Sequence, residues 1–327
     1  MKKKTWGFLT CLLILTFCQM QTICDAGEAK FPSKTITLVC AFPAGTSDDN
    51  FGRLLAPQIQ KELGVPIEVV AKPGGSGITG TMEVLRSPRD GHTLLIQSPG
   101  NSVIPMAWDK DTPYRENDRT YLCRAVAFPM AIFVRADAPW KTLQDVKETI
   151  AKDPASFRWA SCGITIGEVP MAMFRMGLIG AGIDLSKVKI VPFQGGVQAF
   201  TAMAGGHVDM YAGTLGVTSP FLSAGKIRAL AVTSPERVET YFKGIPTTAE
   251  QGFPSIIAFH WLGFSGPPGL AIQMTQKWEE TIKKIVNRPE NKDLLAKIGS
   301  VPFYLSGEAF KKAVIQDVAS LKASRIK

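Results

Sequence analysis

Apolar positions along the chain alternate between two rhythms. Ile36 to Phe42 is an unbroken apolar run of strand length, whereas Phe51, Leu54, Leu55, Ile59 and Leu63 recur at helical spacing until Gly64 stops them. Pro57 falls inside that helix and is expected to kink it. Ile67 to Val70 predicts a second strand, Ile78 to Leu85 a short helix and Thr93 to Gln97 a third strand. Strand, turn and helix in this order build a largely parallel sheet.

A second series begins after Pro139. Thr142 opens a helix, with Asp145 three residues on as a capping box, and Phe157 to Ala160 predicts a strand. Helix Val169 to Leu178, strand Val188 to Val191, helix Val197 to Ala204, and strands Val208 to Tyr211 and Arg228 to Val232 follow. The last third carries helices near Ile272 to Val286, Asn291 to Ile298 and Glu308 to Ser324. Without a long linker or an internal repeat, the pattern predicts two α/β lobes, in keeping with a chain of 327 residues.

The first residues differ in kind from the rest. Lys2, Lys3 and Lys4 precede a ten-residue apolar run, Phe8 to Phe17, and small residues near Asp25-Ala26 suit a peptidase. The run is too short for a permanent membrane helix, so residues 1–26 are expected to be a cleaved secretory signal. Phe17 before Cys18 and Ile23 before Cys24 argue against lipidation. Removing this segment takes away three Lys and one Asp and leaves 34 basic against 27 acidic side chains, a net +7. The excess is scattered rather than clustered, which speaks against nucleic acid and suits an anionic ligand. Cys40, Cys123 and Cys162 then remain, enough for at most one disulfide and without zinc-ligand spacing.

Three loops share one design, in which a strand ends, Gly and small hydroxyl residues follow, and a helix begins. They are Phe42-Pro43-Ala44-Gly45-Thr46-Ser47-Asp48-Asp49, Ser98-Pro99-Gly100-Asn101-Ser102 and Ser161-Cys162-Gly163-Ile164-Thr165-Ile166-Gly167. Such loops lie at the carboxyl ends of strands, where free N–H groups and the helix dipole suit a carboxylate. Gly75-x-Gly77-x-x-Gly80 matches the dinucleotide fingerprint formally, but Ala71 to Gly74 separate it from its strand, so it is expected to be a structural turn. His92, His207 and His260 are far apart in sequence, and no zinc-protease, nucleophile-elbow or Walker spacing occurs. Neither a metal nor a cofactor is expected.

Several linked motifs resemble one family. Pro32-Ser33-Lys34, Phe42-Pro43-Ala44-Gly45, Arg53-Leu54-Leu55-Ala56, Lys72-Pro73-Gly74-Gly75, Asp90 to Leu95, Gly205 to Asp209 and Ala224 to Thr233 are similar, in order and spacing, to the Bug family. These are extracytoplasmic solute receptors of tripartite tricarboxylate transporters. The resemblance implies a two-lobe α/β periplasmic binding protein of the Venus flytrap, type II-like kind, each lobe a sheet flanked by helices. Lobe 1 would be 27–127 plus 234–327 and lobe 2 128–233, with crossing strands near Cys123 to Phe128 and Leu230 to Thr233. A monomer would capture a small carboxylate in the periplasm and hand it to membrane permease subunits, with no bond made or broken.

The resemblance also implies a contact set. Phe42, the amides of Ala44, Gly45, Thr46 and Ser47, and Ser98 and Asn101 would serve the first lobe, and Ser161, Gly163, Thr165 and Thr214 the second. Asp49 would be an N-cap or loop brace, and Asp209 a structural residue behind the site. Asp48 stands where Thr is usual, and it would repel an anion unless it turned outward or met a ligand ammonium. Ile164, Ile166 and Gly213-Thr214 replace polar residues, which points to a monocarboxylate or amino-acid-like ligand with an apolar or aromatic body rather than citrate. A sensor receptor for a membrane histidine kinase, and a secreted hydrolase using Ser98 or Ser161, are the competing readings.

Overall fold

A computed structural model describes residues 31–162, 165–193 and 195–323. The expected signal segment, Gly163 and Ile164 lie outside the described residues. The first 98 described residues give β1 (Ile36–Cys40), α1 (Ser47–Leu63), β2 (Ile67–Ala71), α2 (Ile78–Leu85), β3 (Thr93–Gln97), α3 (Val103–Trp108) and β4 (Thr120–Phe128). A second group comprises β5 (Met130–Arg135), α4 (Leu143–Lys152), β6 (Arg158–Ser161), α5 (Glu168–Gly180), β7 (Lys189–Pro192), α6 (Gly196–Ala204), β8 (Met210–Thr214), α7 (Leu215–Ser223) and β9 (Ile227–Val232). The chain closes with β10 (His260–Gly266), α8 (Ile272–Val286), α9 (Pro289–Lys297), β11 (Val301–Ser306) and α10 (Gly307–Ala323).

These strands form two separate sheets, ordered β11-β4-β10-β3-β1-β2 and β7-β6-β8-β5-β9. β1, β2 and β3 are mutually parallel, as are β6, β7 and β8, so the strand-turn-helix reading holds within each series. The expectation of largely parallel sheets needs correction. β10 runs antiparallel to β3 and β4, and β5 antiparallel to β8 and β9, because strands that arrive from the other sheet enter against the local direction.

The first crossing is direct. β4 belongs to one sheet and β5 to the other, and only Pro129, which has no N–H for a ladder, separates them. The return leaves β9 at Val232 and re-enters at His260. Thr233, fully buried, ties the two crossings together: its N–H donates to the Met130 carbonyl at 3.0 Å, its hydroxyl reaches the Ala258 carbonyl, and its own carbonyl accepts from Ala258 N–H.

Helix periodicity explains the packing. Phe51, Leu55 and Ile59 of α1, with Trp278, Ile282 and Ile285 of α8, cover one face of the first sheet against Leu38, Ile96, Leu122 and Phe264. α3 and α10 cover the other face, where Tyr121 and Trp261 meet Phe310 edge to face at 5.4 and 5.0 Å. Each such fully buried side chain stabilises the fold by about 1.5–3 kcal/mol. The second sheet is sandwiched around Phe133, Trp159, Phe174, Phe200 and Met210. α1 runs through Pro57 without interruption and stops at Gly64, whose φ of 73° is the left-handed cap anticipated from the sequence. The Thr142 capping box forms as expected, with Asp145 N–H donating to Thr142 Oγ1 at 3.1 Å.

Candidate functional site

The three loops emerge from the carboxyl ends of β1, β3 and β6. In the first, Thr46 is the extended N-cap of α1 and its hydroxyl donates to the Pro43 carbonyl at 2.9 Å. Asp49, buried, accepts from Gly45 N–H at 2.9 Å and from Arg53 Nε at 2.9 Å, which makes it the loop brace. Arg53 and the Gly45 amide hold its carboxyl below the usual carboxylate range. Two of the four amides expected to serve a ligand are therefore engaged within the loop: Gly45 on Asp49, and Thr46 on the Pro43 carbonyl at 3.4 Å. Those of Ala44 and Ser47 have no protein acceptor among the described residues.

Asp48 does not turn outward. It is buried, and His260 Nε2 lies 3.5 Å from Asp48 Oδ1 and 3.1 Å from Ser47 Oγ. Phe128 packs against the same imidazole with ring centroids 5.1 Å apart. The contact joins positions 213 residues apart, so nothing in the local sequence announces it.

The second loop is built from within. Asn101 Oδ1 accepts from Ser98 N–H at 3.0 Å, Asn101 Nδ2 donates to the Ile96 carbonyl at 2.9 Å, and the Asn101 carbonyl accepts from Tyr114 at 3.0 Å. Asn101 thus braces the loop. Ser98 Oγ, by contrast, is buried and faces the Asn101 N–H as the capping box of this turn, without a hydrogen bond of full geometry. Glycines let these loops converge. A Cβ on Gly77, whose φ is 89°, would come within 2.8 Å of Asn101 and 3.2 Å of the Phe42 ring, and one on Gly80 within 2.9 Å of Ala41 Cα. The fingerprint glycines serve close packing, as the sequence suggested.

In the third loop, Thr165 Oγ1 lies 3.1 Å from the Tyr211 hydroxyl, and Glu168 accepts from Cys162 N–H at 3.3 Å while pairing with Arg175 at 2.5 Å. Burial pushes the Tyr211 phenol well above its ordinary value. Ser161 ends β6 half-buried and accepts Phe193 N–H through its carbonyl at 2.8 Å. The Thr214 carbonyl accepts from Thr218, and the first residues of α7 after it face Gly299. Phe200 fills the space over Gly213, where an added Cβ would meet the ring at 2.6 Å. Behind these loops Asp209 grips Arg158 through Nη2 at 2.7 Å and Nε at 3.1 Å, the structural role expected of it.

The second and third loops share a cavity of about 270 Å³. Pro99, Val103 and Ile104 line it from one side, Ile166, Val169 and Met173 from the other, and Asp317 is the only ionisable side chain in its wall. Burial raises the Asp317 carboxyl to about 6, opposed by the approach of Trp261 and the charge of Arg124. Cys40, Cys123 and Cys162 are all buried free thiols, which settles the disulfide question, and burial raises the Cys40 thiol to about 11. No group of three His, Cys, Asp or Glu able to hold a metal occurs among the described residues.

Comparison with known proteins agrees with this architecture. BugT of Bordetella pertussis is 27% identical over 247 residues, 73% of this chain and 72% of its own length. A TctC solute binding protein from Polaromonas, 27% identical, superimposes with a TM-score of 0.76 over 90% of this chain and 98% of its own. MatC from Rhodopseudomonas palustris, a structure with bound malate, shares the fold at 22% identity and a TM-score of 0.73, over 90% of this chain and 99% of its own. The description "tripartite tricarboxylate transporter family receptor" matches residues 51–326. With two sheets joined by two crossings and loops gathered at the strand ends, the chain belongs to the TctC family of tripartite tricarboxylate transporter receptors.

Proposed function

We propose that this receptor closes two lobes, 27–127 plus 234–327 and 128–233, around a small monocarboxylate with an apolar body and delivers it to the permease of a tripartite transporter. The observation that carries the reading is the juxtaposition of polar and apolar surfaces at the loops. Ser98 Oγ is a buried hydroxyl that makes no hydrogen bond of full geometry, and the adjoining Pro99 opens, with Ile166, onto an apolar cavity. The unpaired amides of Ala44 and Ser47 sit at the positive end of α1. Two nearby acids are drawn toward bases, Asp49 to Arg53 and Glu168 to Arg175, while Asp48 beside His260 is the acid in the first loop that no Arg or Lys offsets.

Charge-assisted hydrogen bonds contribute about 1.5–3 kcal/mol each, so three or four reach the ~8 kcal/mol of micromolar binding after closure costs. A ligand held by both lobes favours the closed form, because only there are both sets of contacts made. Malate in MatC is consistent with a carboxylate as the shared chemistry. The apolar wall favours a less polar molecule here. The protein is proposed to act as a periplasmic monomer after removal of residues 1–26. Native mass spectrometry of protein from its own host, followed by a thermal-shift panel, tests the ligand class. Stabilisation by citrate alone, without response to aromatic carboxylates or amino acids, would defeat it.

A further inference from the structure

Behind the Ser98 loop, the first sheet carries polar side chains that no protein group satisfies. Gly263 pairs with Gln97, and Ser265 pairs with both Leu95 and Tyr121, so the alternation of the pleat brings Gln97, Ser265 and Tyr121 onto one face of β3, β10 and β4. Arg119, one residue before β4, is 4% exposed and lies 5.0 Å over the Tyr114 ring. All three guanidinium nitrogens, both ends of the Gln97 amide, the Tyr121 hydroxyl and Ser265 Oγ are buried without hydrogen-bond partners. Arg119 approaches the Tyr114 hydroxyl and Gln97 that of Tyr121, but neither contact has hydrogen-bond geometry.

The charge makes this cluster unusual. A guanidinium stays protonated in proteins, and burying it unpaired costs several kcal/mol. Asp118 and Glu116 of the same loop act on Arg119 only through space, being engaged with Arg115 N–H and Lys322, and among the described residues no carboxylate forms an ion pair with it. Water could accept the N–H groups but could not neutralise the charge. We propose that Arg119, Gln97, Tyr121 and Ser265 enclose a small monovalent inorganic anion of halide size, a site separate from the ligand loops. Tyr114 links the two, since it covers Arg119 and donates to the Asn101 carbonyl that belongs to the Ser98 loop. Anion occupancy therefore stiffens the loop from behind.

Two measurements test this on the whole mature protein. Crystals soaked in bromide should show an anomalous peak within contact of the Arg119 guanidinium. In solution, at constant ionic strength, replacing gluconate by chloride or bromide should raise the unfolding temperature by several degrees in a saturable way. Arg119→Met should abolish that response, and Ser265→Ala, the milder change, should raise the half-saturating bromide concentration severalfold. A map with only water at the guanidinium overturns the proposal. So does a peak without any halide response in solution, which would mark an adventitious ion only.

Discussion

Ser47 Oγ lies 3.1 Å from His260 Nε2, across 213 residues of sequence. That nitrogen also faces Asp48 Oδ1, so the imidazole holds a hydroxyl and a carboxylate together where α1 begins. Asp48 is thereby held beside His260 and only 3% exposed. His260→Ala should leave the carboxylate buried with only Ser47 beside it, lowering stability by about 1–3 kcal/mol and weakening carboxylate binding about tenfold. Asp48→Asn removes a like charge near the anion and should tighten binding about fivefold, an electrostatic gain of roughly 1 kcal/mol. Titration calorimetry of both variants decides; unchanged affinity in both would separate this cluster from ligand binding.

Ser98 offers a cleaner separation of fold from function. Its hydroxyl is buried and makes only a loose capping contact with Asn101 N–H, so Ser98→Ala should leave the ligand-free unfolding temperature nearly unchanged. Ligand affinity should fall about tenfold, the worth of one hydrogen bond to a charged group. A loss of ligand-free stability without loss of affinity would assign Ser98 to the scaffold instead.

Much of this architecture was legible because local rules and tertiary packing agree. Ile78 to Leu85, Thr93 to Gln97 and Ile272 to Val286 appear at the expected residues. The sheets proved mixed because β5 and β10 owe their direction to the crossings, which leave no periodic trace. β11 reads poorly since Pro302 interrupts it and none of its six residues is fully buried. At the loops, Asp49 was foreseen as a brace, yet the engagement of the Gly45 amide by that same side chain was not. Asn101 was expected at the ligand from the family resemblance, but its side-chain hydrogen bonds close on Ser98 and Ile96. His260 and the orphaned Gln97 depend on neighbours brought from other strands, and no spacing in the sequence encodes those contacts.

Arg158 and Asp209 should behave as scaffold. Asp209 accepts from the Arg158 backbone N–H at 2.8 Å and twice from its guanidinium, and it is 3% exposed. Asp209→Ala removes one partner of a largely buried pair and is expected to cost about 3–5 kcal/mol in chemical denaturation. Ligand affinity of the surviving folded fraction should be unchanged. A variant of normal stability that failed to bind would place Asp209 at the ligand rather than behind it.

The pH dependence of stability should carry the signature of Asp317. Burial in the cavity wall raises its carboxyl to about 6 from an ordinary value of 3.8, against the opposing influence of Trp261 and Arg124. Between those two values the unfolded chain loses the proton while the folded protein keeps it, so the folded state binds more protons and stability falls as pH rises. The contribution is fully present below about pH 4 and lost by the time pH has passed the folded value near 6. Its size is about 1–3 kcal/mol from a shift of roughly two units, reduced by whatever the cavity relaxes. Asp317→Asn cannot ionise, so denaturation curves collected from pH 4 to 7 should lose this component and run flatter than wild type. Arg124, whose guanidinium is pulled down to about 10 by burial, then loses the charge that offsets it, which tempers the gain at neutral pH. Parallel wild-type and Asp317→Asn profiles would show that the carboxyl ionises freely and that the cavity is wetter than its apolar lining implies.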